Sequence, residues 1–198
     1  MTPRRTGDRG AVFPLYIWLV TGLLLLALTF FVFAQAAVVR SGAQSAADAA
    51  ALAAAQEARD RMFGDFLEAA REEDSDPEDI EGPVGGDDVG DSGPCAAAAR
   101  LAASNDAVVT SCESGEGGTA YTVVVESTAT VGDSVIPGTE NQTATARATA
   151  VIGVLCDGVE EGDDGLELRC EERDWVLDPD DEDGLPEARD LFEVYLED

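Results

Sequence analysis

The chain has 198 residues, enough for one domain of ordinary size with an appended segment, and 41 acidic side chains against 12 basic ones give it a net charge of −29. So acidic a chain repels phosphate backbones, which excludes nucleic acid as a direct partner and leaves solubility or salt adaptation as the plain role of the acidity. Every basic residue is arginine and histidine is absent, so imidazole and lysine chemistry are missing, nothing singles out a pair of carboxylates, and no enzyme activity, cofactor or small-molecule substrate is expected.

The charge is unevenly spread. Up to Arg40 there are four arginines and one aspartate; from Ser41 onward there are eight arginines and forty acids. Residues 1–13 form a basic stub, and residues 14–39 follow with no formal charge. Within them Leu15 to Ala34 hold only Thr21 and Thr29 as clearly polar side chains, and the run is long enough to span the hydrocarbon of a bilayer as a helix. Pro14 suits the first turn, and Tyr16 and Trp18 suit an interface belt. Arg4, Arg5 and Arg9 keep that end in the cytoplasm, so the acidic bulk lies outside the cell membrane as the large part of a single-pass protein. Ala34-Gln35-Ala36 fits the small-x-small rule of a signal peptidase site. The apolar run, however, exceeds the roughly 7 to 15 residues of a signal core, which favours a retained anchor.

Residues 40–71 read as an alanine-rich continuation of the same helix, since alanine is the best helix former and no proline interrupts. From Pro14 to Arg71 an unbroken helix measures about 87 Å. Leu52, Ala55, Met62, Phe66 and Ala70 make an imperfect apolar stripe, and Ala46 and Ala50 allow a close backbone approach. Such a rod packs either on its own domain or on like helices of other subunits. The candidate subunit contacts are Ala46, Ala50, Leu52, Ala55, Met62 and Phe66.

Residues 72–93, rich in acids, glycine and proline, read as a mobile linker with almost nothing to bury. The remainder, 94–198, reads as an extracytoplasmic α+β domain with an acidic tail. A short helix begins around Ser92 to Pro94, followed by a strand from Ala107. A second strand carries Tyr121, Val123 and Val125 on one face, and a third carries Ala144, Ala146, Ala148, Ala150, Ile152 and Val154. The stretch from 156 to 170 is a hairpin or ordered loop, Trp175 to Leu177 a strand, and residues from Pro186 a short amphipathic helix using Leu191, Phe192, Tyr195 and Leu196.

Cys95, Cys112, Cys156 and Cys170 lack the C-x-x-C spacing of a zinc site. Export favours disulfides, and of three pairings the nearest-neighbour one, Cys95 to Cys112 and Cys156 to Cys170, closes short loops. A calcium loop centred on Gly184 places Pro179 where the first ligand belongs, so a solvated acidic loop is the better reading and no metal is expected. Asn141-Gln142-Thr143 fits a glycosylation acceptor, a pattern short enough to arise by chance.

"DRGAVFPLYIWLV", the apolar run, and "RSGAQSAADAAALAAAQEARD" with its Ala46 to Ala55 core together resemble the amino-terminal module of TadE/TadG-like proteins. These are pilin-like accessory subunits of Flp (tight-adherence) pilus assembly systems. "PCAAAARLAASNDAVVTSC" and "ATARATAVIG" resemble the outer portion of small pilin-like members. The resemblance implies a single-pass protein without catalysis that works with membrane lipid and with other pilin-like subunits or the assembly platform. It also makes the bond between Gly10 and Ala11 a candidate prepilin cleavage, although Leu15 stands where processed pilins carry glutamate, which favours an uncut anchor. The alternative is an exported surface binding or adhesion module that uses the helix as a tether.

Overall fold

The computed structural model describes residues 12–72, 76–86, 90, 92–130, 141–162, 165–178 and 184–197. Helix α1, Val12–Ala70, is 59 residues without a break, about 90 Å long at 1.5 Å per residue. Its run of Leu, Phe and Ala followed by an alanine-rich stretch offers no proline past the first turn to stop it. The two ends have opposite surroundings. Val12 to Gly42 contain no buried residue, whereas Ala43, Ala46, Ala47, Ala50, Ala51, Ala54, Ala55, Ala58, Met62, Phe66 and Ala70 are all buried. That second set recurs every three to four residues and so lies on one side of the rod.

Against that side lie helix α3, Ser92–Ser104, and the inner face of a four-stranded antiparallel sheet. The sheet order is β1 (Ala107–Ser114), β2 (Ala120–Ser127), β3 (Thr145–Val154) and β7 (Phe192–Leu196). Tyr121, Val123 and Val125 of β2 face the helix together with Ala148, Ala150 and Ile152 of β3, and pairing of Tyr121 with Ala150 and Val123 with Ala148 sets the register. Alanine is the recurrent contact on both sides: Ala97, Ala98 and Ala102 of α3 meet the alanines of α1. Small side chains allow helix to lie close on helix, and the larger β2 side chains then fill the layer above.

A second antiparallel sheet joins β4 (Cys156–Gly162), β5 (Gly165–Cys170) and β6 (Trp175–Leu177). Val159, Leu168 and Leu177 add to the same core as Phe66, Ile80 and Leu191. A 3-10 turn at Glu116–Gly118 links β1 to β2.

Two expectations from sequence are corrected. The acidic stretch 72–93 contains helix α2, Pro77–Gly85, and buries Ile80 and Val84 against the core. It starts with Pro77 at the first position and a bond from the Asp76 amide to Asp79 Oδ2 of 2.9 Å, and ends on Gly86 with φ of +83°. The carboxyl-terminal segment is one helical turn, α4 (Ala188–Leu191), followed by strand β7 rather than an amphipathic helix. Phe192 pairs with Val154 and Leu196 with Ala150, so the β3 edge claims these residues; a single turn of helix nucleates poorly on its own, whereas a waiting strand edge supplies a full ladder.

Candidate membrane anchor and assembly surfaces

The lower half of α1 carries the large apolar side chains of the molecule on its outside: Trp18 is 80% exposed and Phe30 77%. Leucines 23 to 26 and 28 and Phe31 and Phe33 are exposed as well. Among the described residues, α1 is the one helix long and apolar enough to cross a membrane. The hydroxyl of Thr29 donates to the Leu25 carbonyl at 2.8 Å, so that polar group needs no water. The upper half starts abruptly, because Ala43, three residues past Arg40, is only 1% exposed.

The cysteines close as expected. Cys95 bonds Cys112 and Cys156 bonds Cys170, leaving no free thiol. The first pins α3 to β1; the second closes the mouth of the β4–β5 hairpin, where the two cysteines are register partners. An apolar helix near the amino terminus and two disulfides fit a membrane-anchored domain outside the cytoplasm.

The residues expected to contact other subunits are placed otherwise. Ala46, Ala50, Ala55, Met62 and Phe66 are each 0% exposed, and Leu52 is half-buried against the same core. The chain's own α3 and sheet occupy that face, because alanines that let a neighbour approach closely serve the nearest neighbour first, and that is the tethered head. Arg4, Arg5, Arg9, Gly10 and Ala11 lie outside the described residues, as do residues 179–183 of the acidic loop. Among the described residues, no group of three or more acidic or cysteine side chains could hold a metal ion.

Sequence reasoning missed a cleft of about 760 Å³ at the end of the head far from the apolar half of α1. Glu172, Arg173, Trp175, Arg189, Asp190 and Glu193 line it, and the Arg173 guanidinium lies over the Trp175 ring, 3.4 Å from its centre. The two-residue spacing of Arg173 and Trp175, which puts both on one side of an extended chain, is the signal that could have revealed it.

Comparison with known proteins adds one finding. The Tad family model, described as putative Flp pilus-assembly TadE/G-like, matches residues 10–57, about a quarter of the chain. Nothing among curated proteins or solved structures matches the chain significantly. The matched stretch runs from the start of the apolar rod to the middle of its alanine-packed half; over that length the chain is similar to the TadE/G-like family of Flp pilus assembly.

Proposed function

We propose that this chain is a membrane-anchored, pilin-like subunit or accessory protein of Flp-type pilus assembly. It acts by packing its amino-terminal helix on other helices and has no catalysis of its own. The carrying observation is the bare apolar half of α1, which has no buried residue from Val12 to Phe33 and falls inside the family match. Large Leu and Phe side chains free on all faces of a helix suit lipid before assembly and neighbouring helices after it. The head's acidic crown faces away from the cell and the stub with Arg4, Arg5 and Arg9 stays in the cytoplasm. Since Ala46 to Phe66 are taken by the head, contacts to other subunits fall on the bare segment and on the outer face of α1 around Gln56 and Asp60, both exposed.

Deletion of the gene tests this reading. Surface filaments disappear and return when the intact chain is supplied, whereas a chain with Leu25→Arg, which loses about 3 kcal/mol of insertion free energy, does not restore them. Filaments that persist in the deletion strain overturn the assembly role and favour a tethered surface module, with the Trp175 cleft as its working part.

A further inference from the structure

The span and the head share one helix with no joint between them, and this fixes where the head's lower edge stands. From Trp18 to Arg40 is about 33 Å of helix, matching the roughly 30 Å of bilayer hydrocarbon with the aromatic at one boundary and the first charge at the other. Four residues beyond Arg40, Gln44 Nε2 donates to the Arg147 carbonyl of β3 at 3.3 Å. Strand β3 rises from there toward the level of α2, which packs on α1 and carries strand β4 of the hairpin on its other side. Its beginning therefore points down, toward the apolar half. Thr145 lies two residues below Arg147, about 7 Å along a strand, the same drop as four to five residues of helix. The row formed by Thr145, its partner Glu126 and that residue's partner Val108 thus stands level with Arg40. Beyond it, among the described residues, come the Asn105–Asp106 turn, the end of β2 tied to that turn by bonds from Thr128 N and Oγ1 to the Asp106 carbonyl at 2.7 and 2.9 Å, and the start of the β3 approach.

The composition of this base differs from the crown. Residues 40–48, 104–111 and 122–149 hold two arginines, Arg40 and Arg147, and five acids, Asp48, Asp106, Glu126, Asp133 and Glu140, a far lower density of negative charge than the rest of the head in a chain of net −29. Two of those carboxylates are satisfied locally: Asp48 accepts from Gln44 at 2.8 Å and Glu126 from Thr143 at 2.7 Å. Arg40 and Arg147 are exposed, and Val108 is 56% exposed. The acids of the head gather instead on α2 and the distal hairpin sheet. A surface that is far less acidic than the rest of the head, bears exposed arginines and an exposed valine, and continues the anchor directly suits a zone of lipid headgroups, which is about 5 to 8 Å deep on each side of a bilayer.

We propose that the base of the head, comprising Arg40, Arg147, Val108 and the Asn105–Asp106 turn, is a lipid-docking surface seated in the headgroup layer. It holds the head against the bilayer, so that tilting α1 tilts the head with it. This rests on the membrane-anchor reading and adds a contact that the reading does not require. The test uses the full chain in phosphatidylcholine nanodiscs containing a nickel-chelating lipid, with spin labels attached at encoded ketone residues in place of Leu26, Val108 or Glu160 so that the cysteines stay untouched. The expected result is oxygen access at position 26, relaxation by headgroup nickel several-fold stronger at 108 than at 160, and loss of most of that excess in R40Q/R147Q. Relaxation at 108 as weak as at 160, with oxygen still reaching 26, overturns the docking surface and leaves the anchor standing. A position 26 closed to oxygen overturns both.

Discussion

The two halves of α1 invert the usual rule of burial. The most hydrophobic side chains of the molecule, the leucines and phenylalanines between 23 and 33, are exposed, while the buried half of the same helix is almost entirely alanine. In a protein surrounded only by water the larger residues take the interior, since burying a Leu or Phe contributes roughly 1.5 to 3 kcal/mol and an alanine far less. The inversion shows that size was fitted to neighbours. Where a sheet and a second helix press close, the helix carries methyl groups; where it carries long side chains, nothing among the described residues covers them.

The sharpest way to break this comparison is to make the same substitution on both halves. Phe66→Ala removes a fully buried ring that touches Phe63 with centroids 6.2 Å apart. It should cost the head about 3 to 5 kcal/mol, read as a lowered Tm in detergent. Phe30→Ala, on a side chain 77% exposed, should leave that Tm unchanged. Equal losses at both sites would mean that the lower half packs on the head after all.

Removing the Cys95–Cys112 bridge comes next. The bond spans 17 residues, for which chain entropy predicts a loss of about 3 kcal/mol, and Cys95→Ser/Cys112→Ser should show it in urea unfolding under oxidising conditions. Because α3 is a wall of the alanine face, the loss should appear in the upper half of α1 as faster amide exchange from Ala46 to Ala58, with no change between Leu23 and Phe33.

Much of this arrangement was legible beforehand. Alternation of alanine and threonine in β3 gave its buried face, with Ala148, Ala150 and Ile152 inward, because period-two patterning survives in a sheet that is wet on one side. The two disulfides followed from short loops, and the long apolar helix from an uncharged run. Three features were hidden. Ile80 and Val84 are two of only three large apolar residues between positions 72 and 93, and such sparse anchors among acids read as disorder until α1 and the hairpin offer them a surface. Phe192 to Leu196 have helical as well as strand spacing, and the open edge of β3 decided between them. The destination of the alanine face was undetermined because alanine fits a helix, a sheet or a copy of itself equally well.

Enlarging an alanine sharpens the comparison at lower cost. Ala50→Leu forces three carbon atoms into a face that is 0% exposed and should destabilise the head by about 1 to 3 kcal/mol. Ala27→Leu sits on the exposed lower half and should have no effect on head stability. A neutral Ala50→Leu would mean that helix and sheet are not in close contact.

The smallest effect belongs to the wet side of the head. Arg169 and Glu160 pair across β4 and β5 at 2.5 Å with side chains 58% and 66% exposed, so water and salt screen them and the pair contributes at most about 0.5 kcal/mol. The two ways of breaking it are nonetheless unequal. Glu160→Gln removes a negative charge from a crown crowded with them, which offsets the lost attraction, whereas Arg169→Gln leaves a carboxylate among others of its own sign. Arg169→Gln should therefore lower Tm more than Glu160→Gln at low ionic strength, and the gap should close near 1 M salt, where the screening length falls to about 3 Å. A gap that persists in high salt would locate the role of Arg169 in packing along its aliphatic stem rather than in its charge.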